Sequence, residues 1–157
     1  MGEIKETTNE IILEAYNTFV SDGEIPNFEY DVYQGTNTGN FIQLRCKRCF
    51  GFTSIHYEFL FESQGSGYSV ELHAERIKIM KEMADAFEKI TSIIKQINGR
   101  SLVFYSRHRE DYGDAIKIPY GFYPSPELPE MMAKDMRGLI KKTRVHVENV
   151  VKQILAI

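Results

Sequence analysis

The sequence predicts a single α+β domain in which helices pack on one face of an antiparallel sheet. Three successive runs between residues 41 and 75 alternate apolar and polar side chains, which is typical of strands with one covered face. The two ends of the chain and its middle instead repeat apolar residues at helical spacing. The 157 residues, of which 43% are hydrophobic and 26% charged, fit one globular domain over residues 1–157.

The elements follow in order from these two periodicities. We expect a helix over residues 3–22, strands over 28–32, 41–48, 54–62 and 68–75, a helix over 76–98, strands over 101–108 and 114–120, and a helix over 130–156. Glycine-rich and asparagine-rich segments at 34–40 and 63–67 predict turns, and Asn98-Gly99 predicts a helix end. The predicted order is helix, antiparallel meander of three or four strands, helix, β-hairpin, helix.

Composition limits the classes of function. The formal net charge of -3 argues against broad nucleic-acid binding, although a local basic patch stays open. No apolar run approaches the roughly 18 residues of a membrane helix, so we expect no membrane association. The N-terminal residues lack the apolar segment of a secretory signal, and two cysteines do not make a disulfide framework. These features predict a cytoplasmic location.

The polar face of the meander carries the densest set of chemically active side chains. Period-two geometry puts six of them on one surface: His56, Glu58, Glu62, Glu71, His73 and Glu75. One interpretation is a solvated sheet face, where Arg45 and Lys47 pair with the glutamates. The other is a site where converging carboxylates hold Mg²⁺ or Mn²⁺.

The order helix, meander, helix, strand resembles the core of the PD-(D/E)XK nuclease superfamily. In that family, an acid on the second strand and an acidic-x-Lys pair on the third hold metal and activate water. The resemblance implies that Glu58 or Glu62 is the first acid and that Glu71-Leu72-His73 replaces the pair. His73 stands where the family has lysine, and would position or deprotonate the attacking water. This alternative function is a metal-dependent phosphodiesterase using Mg²⁺ or Mn²⁺.

The order of elements over the whole chain also resembles the type III secretion chaperone-like fold. That family runs helix, three strands, helix, two strands, helix, and no residue motif accompanies the resemblance. Its members are small, usually dimeric, and bind partner proteins without catalysis. The resemblance implies our first functional hypothesis, a non-catalytic protein-binding or adaptor domain without a cofactor. Its partner would be another protein or a second copy of the chain.

A C-x-x-C segment forms a further candidate site. Cys46 and Cys49 could supply half of a zinc site, with His56 as a nearby third ligand. The alternative is that Cys46, which has the parity of a core residue, is a small buried hydrophobic side chain.

The segment 105–123 interleaves aromatic and basic residues, a pattern that can stack bases and hold phosphates. It predicts a third function, a small-ligand or nucleic-acid binder, whose candidates are Arg107, His108, Arg109, Tyr112, Lys117 and Tyr120. The alternative is an aromatic strand pair packed on the last helix. That helix exceeds the usual length, so its apolar stripe is either a dimer interface or part of the chain's own core.

Overall fold

The computed structural model describes residues 9–35, 40–51, 54–75, 80–106 and 113–155. It confirms the predicted α+β class. The elements are α1 (Glu10–Ser21), β1 (Asp31–Gly35), β2 (Asn40–Arg45), α2 (Lys47–Phe50), β3 (Ile55–Glu62), β4 (Gly67–Ala74), α3 (Met80–Ile94), β5 (Gln96–Ile97), β6 (Arg100–Ser101), β7 (Val103–Ser106), β8 (Asp114–Gly121) and α4 (Leu128–Leu155).

Six strands form one antiparallel sheet in the order β1-β2-β3-β4-β8-β7. After the meander β1 to β4, the chain passes through α3 and the β5-β6 hairpin to the edge strand β7, and β8 then fills the position between β7 and β4. The registers align four polar residues in one row across neighbouring strands: Gln43, Glu58, Glu71 and Lys117. This row crosses the middle of the polar face.

The helices cover the opposite face of the sheet, as the sequence predicts. The fully buried side chains of the strands on that face include Ile42, Leu44, Tyr57, Phe59, Val70, Leu72, Ile116 and Ile118. They join residues of α1, α3 and α4 in one core, with Phe19 and Phe87 among the largest. Burial of this much apolar surface is the main favourable term that fixes the register of each strand.

The first strand begins later than predicted. The sequence places a strand at residues 28–32, whereas β1 begins at Asp31. Phe28 is buried against Tyr57, with ring centroids 5.6 Å apart, and Tyr30 lies 6.0 Å from Phe19. The apparent alternation of aromatic residues therefore reflects packing beneath α1, because burying large aromatic rings outweighs extending the ladder.

The helix predicted over residues 76–98 ends at Ile94 in the structure. Asn98 and Gly99, predicted to stop the helix, instead form the two-residue turn between β5 and β6, with φ values of 52° and 82°. Two consecutive positive φ values are what a tight type I′ hairpin turn requires, and Asn-Gly is its preferred sequence.

The apolar stripe of the long helix α4 packs in the chain's own core. The buried members of the stripe are Met132, Met136, Leu139, Ile140, Thr143, Val147 and Val151. Within the described residues this supports the interpretation that the stripe belongs to the chain's own core. No helix in the described part of the chain is both long and apolar enough to cross a membrane.

A buried carboxylate ties α4 to the strands that precede it. Asp135 is fully buried and accepts hydrogen bonds from Asn98 Nδ2 at 2.9 Å, Arg100 Nε at 2.6 Å and Tyr120 Oη at 2.6 Å. All of these neighbours are donors, so the site requires a group that accepts on both oxygens.

Asp135→Asn is expected to lower the free energy of unfolding by about 2 kcal/mol, because its amide NH₂ would face the buried donors. Tyr120→Phe removes one donor and leaves the ion pair with Arg100, so about 1 kcal/mol is expected. Urea denaturation followed by circular dichroism measures both. The assignment is wrong if Tyr120→Phe costs as much as Asp135→Asn.

Candidate metal centre

Four side chains on the polar face converge from two neighbouring strands. β3 and β4 pair His56 opposite His73 and Glu58 opposite Glu71, and Glu75 follows the end of β4. Because alternate residues of a strand point to the same side, these side chains share one surface, as predicted. We call His56, Glu58, His73 and Glu75 the four-residue cluster.

Contacts of 2.7–3.8 Å link the four residues in a ring, in which Glu58 takes part through both of its carboxylate oxygens. His56 Nε2 lies 2.9 Å from Glu58 Oε1, and Glu58 Oε2 lies 3.8 Å from His73 Nδ1. His73 Nδ1 lies 2.7 Å from Glu75 Oε1, which lies 3.8 Å from His56 Nε2. One ligand atom from each residue lies within 4.8 Å of all the others.

These distances can be compared with those of a tetrahedral metal site. Zinc bonds to nitrogen and carboxylate oxygen of about 2.0–2.2 Å place tetrahedral ligand atoms roughly 3.3 Å apart. The contacts between neighbouring residues span 2.7–3.8 Å, and the four ligand atoms lie within 4.8 Å of one another, so a tetrahedral ion would draw the side chains closer together. Two imidazoles favour Zn²⁺ or a related first-row transition ion over Mg²⁺, which prefers oxygen ligands and water.

The centre of the polar face is buried and Glu62, His73 and Glu75 are half-buried, so the predicted solvated face is wrong for the centre. Only 1% of His56 and 3% of Glu58 is exposed, and Glu71 is fully covered. The predicted cationic partners do not neutralise these acids. Lys47 begins α2 and is exposed, whereas Arg45 donates from Nε to Gln43 Oε1 at 2.8 Å.

Histidine supplies much of the positive charge for the buried acids. Burial by itself would raise the pKa of Glu58, but the His73 charge and the contact with His56 outweigh it and lower this pKa to about 2. The pKa of His73 shifts in the opposite direction. Burial would lower it, but Glu58, Glu71 and Glu75 raise it well above the usual value. Without a metal, the structure therefore favours a charged His73.

Glu71 lies beside the four-residue cluster. Ser69 Oγ donates to Glu71 Oε2 at 2.5 Å, and Lys117 Nζ is 3.6 Å from the same oxygen. His73 Nε2 is 3.2 Å from Glu71 Oε1, but Oε1 accepts no hydrogen bond in this arrangement. Glu62, the other predicted acid, lies 3.9 Å from Lys117 Nζ and is outside the cluster.

The predicted zinc ligands are not brought together. Cys46 and Cys49 form a disulfide and lie in the apolar core, while His56 points to the polar face. A disulfide offers no thiolate to a metal, so in this structure Cys46, Cys49 and His56 do not form a zinc site, and the zinc set stays a prediction for the reduced chain. The alternative prediction that Cys46 is buried is confirmed.

The predicted ligand-binding set in 105–123 falls largely outside the described residues. This holds for Arg107, His108, Arg109 and Tyr112. Of the other two candidates, Lys117 lies on the polar face, with Nζ 4.7 Å from the Tyr105 ring centroid. Tyr120 lies on the face covered by the helices, where its hydroxyl donates to Asp135 of α4. Lys117 and Tyr120 therefore do not share a binding surface.

A separate cleft of about 770 Å³ lies where α1 ends and the chain runs to β1. Its lining includes Phe19, Ile25, Phe28 and Tyr30. None of its lining residues belongs to the four-residue cluster.

No protein-family model, curated protein or solved structure matches the chain. Function is therefore inferred from the geometry of the site itself.

The stability that Glu58 and His73 contribute to the metal-free protein is expected to be greatest between about pH 4.5 and 6.5. Glu58 keeps its charge in the folded state down to about pH 2, so its contribution is lost as the pH falls from 4.5. His73 holds its proton more tightly when folded, so its contribution is lost as the pH rises above 6.5.

Urea unfolding in chelator across this range measures the effect. The stability difference between wild type and His73→Gln should be largest near the plateau and shrink at higher pH. His146→Gln, on the exposed face of α4, is the matched control. A difference between wild type and His73→Gln that stays constant up to pH 9 would contradict the assigned charge of His73.

Proposed function

We propose that this chain is a non-catalytic domain that binds one divalent transition-metal ion through the four-residue cluster. The observation that carries the proposal is the convergence of four ligand atoms within 4.8 Å of one another. The donors are His56 Nε2, His73 Nδ1 and one carboxylate oxygen each from Glu58 and Glu75. Zn²⁺ fits this mixed nitrogen and oxygen set best.

Charge balance supports this proposal. Two carboxylates, two neutral imidazoles and one divalent ion sum to zero net charge. A buried set of charges is stable only when it is internally compensated and its polar atoms are satisfied. A metal ion would therefore replace the proton on His73 as the counter-charge for Glu58 and Glu75.

The coordination number and burial favour a structural ion over a catalytic one. Four protein ligands fill a tetrahedral shell, whereas catalytic zinc sites keep one position for water or substrate. Glu58 and Glu71, two acids of the nuclease alternative, are almost completely covered. A phosphodiester within a polymer would have poor access to them, so the nuclease-like function is the weaker proposal.

A protein partner stays a prediction beside this proposal. The buried stripe of α4 weakens the reason for expecting a dimer, whereas the cleft beside α1, lined by both apolar and charged residues, offers a surface to some other partner. Neither affects the case for the metal site, because their residues are separate from the four-residue cluster.

Titration of chelator-treated protein with Zn²⁺ in a calorimeter is expected to show one ion per chain. His56→Gln and Glu58→Gln each remove a ligand and should weaken binding by more than the roughly 100-fold that loss of an outer partner costs. His146→Gln should bind like wild type. Both cysteines of the chain are in the disulfide, so no thiolate competes for zinc.

Absence of stoichiometric binding would overturn the proposal, as would equal affinity in wild type and both ligand variants. Mn²⁺-dependent DNA cleavage that is lost in Glu71→Ala would instead support the nuclease-like alternative.

A further inference from the structure

We infer that Glu71 is the outer carboxylate that orients His73 for metal binding and is not itself a ligand. This inference rests on the proposed metal site. It assigns Glu71 a positioning role, in contrast to the metal-ligating role implied by the nuclease resemblance.

The two nitrogens of His73 face different partners. Nδ1 points into the four-residue cluster, 2.7 Å from Glu75 Oε1 and 3.8 Å from Glu58 Oε2. Nε2 points away from the cluster, 3.2 Å from Glu71 Oε1. An ion in the cluster would therefore be bound by Nδ1, and Nε2 would be the nitrogen that keeps its hydrogen.

A metal-bound neutral imidazole needs an acceptor for its second N–H group. That acceptor is commonly a carboxylate, which fixes the tautomer and orientation of the ring and makes it a better ligand. Glu71 Oε1 is suited to this role, because it is fully buried and accepts no hydrogen bond in the present arrangement. A small rotation of the His73 ring would direct Nε2–H to this oxygen.

The other oxygen of Glu71 is already held. Oε2 accepts from Ser69 Oγ at 2.5 Å and lies 3.6 Å from Lys117 Nζ. Ser69 therefore fixes the carboxylate, and Lys117 compensates its charge. With Glu71 balanced by Lys117, its charge does not disturb the neutrality of an ion bound by two carboxylates and two imidazoles.

The assignment also accounts for histidine at position 73, where the resemblance to nucleases implies lysine. A lysine ammonium has only donors and cannot bind a metal while it is charged. Histidine can ligate through one nitrogen and donate through the other. The Glu71-Leu72-His73 segment thus has the composition of a carboxylate–histidine pair.

The test compares the full chain with Glu71→Gln and with Glu62→Gln, a matched change on the same face outside the cluster. Zinc affinity is measured by competition with a chelator, after circular dichroism has shown that each variant is folded. Glu71→Gln is expected to weaken zinc binding about 10- to 100-fold with one ion still bound per chain. Glu62→Gln is expected to bind like wild type.

A second readout separates orientation from general destabilisation. In ¹⁵N-histidine-labelled, zinc-loaded protein, the NMR shifts of His73 should show a metal-bound Nδ1 and a protonated Nε2. The Nε2–H resonance should shift in Glu71→Gln and stay in place in Glu62→Gln. Should Glu71→Gln not fold, Ser69→Ala, which frees the Glu71 carboxylate, is expected to shift the same resonance.

The outcomes distinguish the two proposals. If wild type binds no zinc, the metal site itself is wrong. If wild type binds zinc and Glu71→Gln binds equally well, only the role of Glu71 is overturned. A loss as large as that of Glu58→Gln would make Glu71 a ligand and also overturn the inference. Metal ligation through His73 Nε2 would do the same.

Discussion

The constraint on which the polar face depends is the burial of the Glu58 carboxylate. A covered carboxylate is stable only with hydrogen bonds and a compensating charge, because its hydration is lost. Gln43 Nε2 donates to it at 2.7 Å, but this amide carries no charge. Arg45 is engaged with Gln43 and Lys47 lies outside the strand, so the compensating charge comes from His73 in the neighbouring row.

Packing of the apolar core determines whether the side chains of the four-residue cluster come together on the polar face. Tyr57 and Phe59 alternate with Glu58 along β3, and both are fully buried beneath the helices. A slip of one residue would move the carboxylate into the core and both rings to the other face. The same packing therefore holds Glu58 opposite Glu71 and His56 opposite His73. The site requires no dedicated scaffold, because the register that buries the core also assembles it.

Alternation in the sequence was sufficient to predict the strands around Glu58 and the face that they share, because period two is a local property. It could not predict that this face is buried, since burial depends on residues distant in the chain. It paired Arg45 with the glutamates from their common face, whereas short-range geometry directs Arg45 to Gln43.

The C-x-x-C pattern fits both a disulfide and half a zinc site, and spacing alone does not separate them. Asn98-Gly99 likewise fits a helix end and a hairpin turn, and pairing of β5 with β6 decides between them.

Histidine at position 73 makes the buried face compatible with two charge states. As an imidazolium it supplies positive charge to Glu58 and Glu75, and in the proposed metal site it would be a neutral ligand while the ion supplies that charge. A permanent cation at this position would hold the acids in ion pairs and compete with any metal. An apolar residue would leave Glu58 buried without its compensating charge, which is strongly destabilising. The proposed metal chemistry of this face therefore depends on a side chain that can carry a proton and could also exchange it for a metal ion.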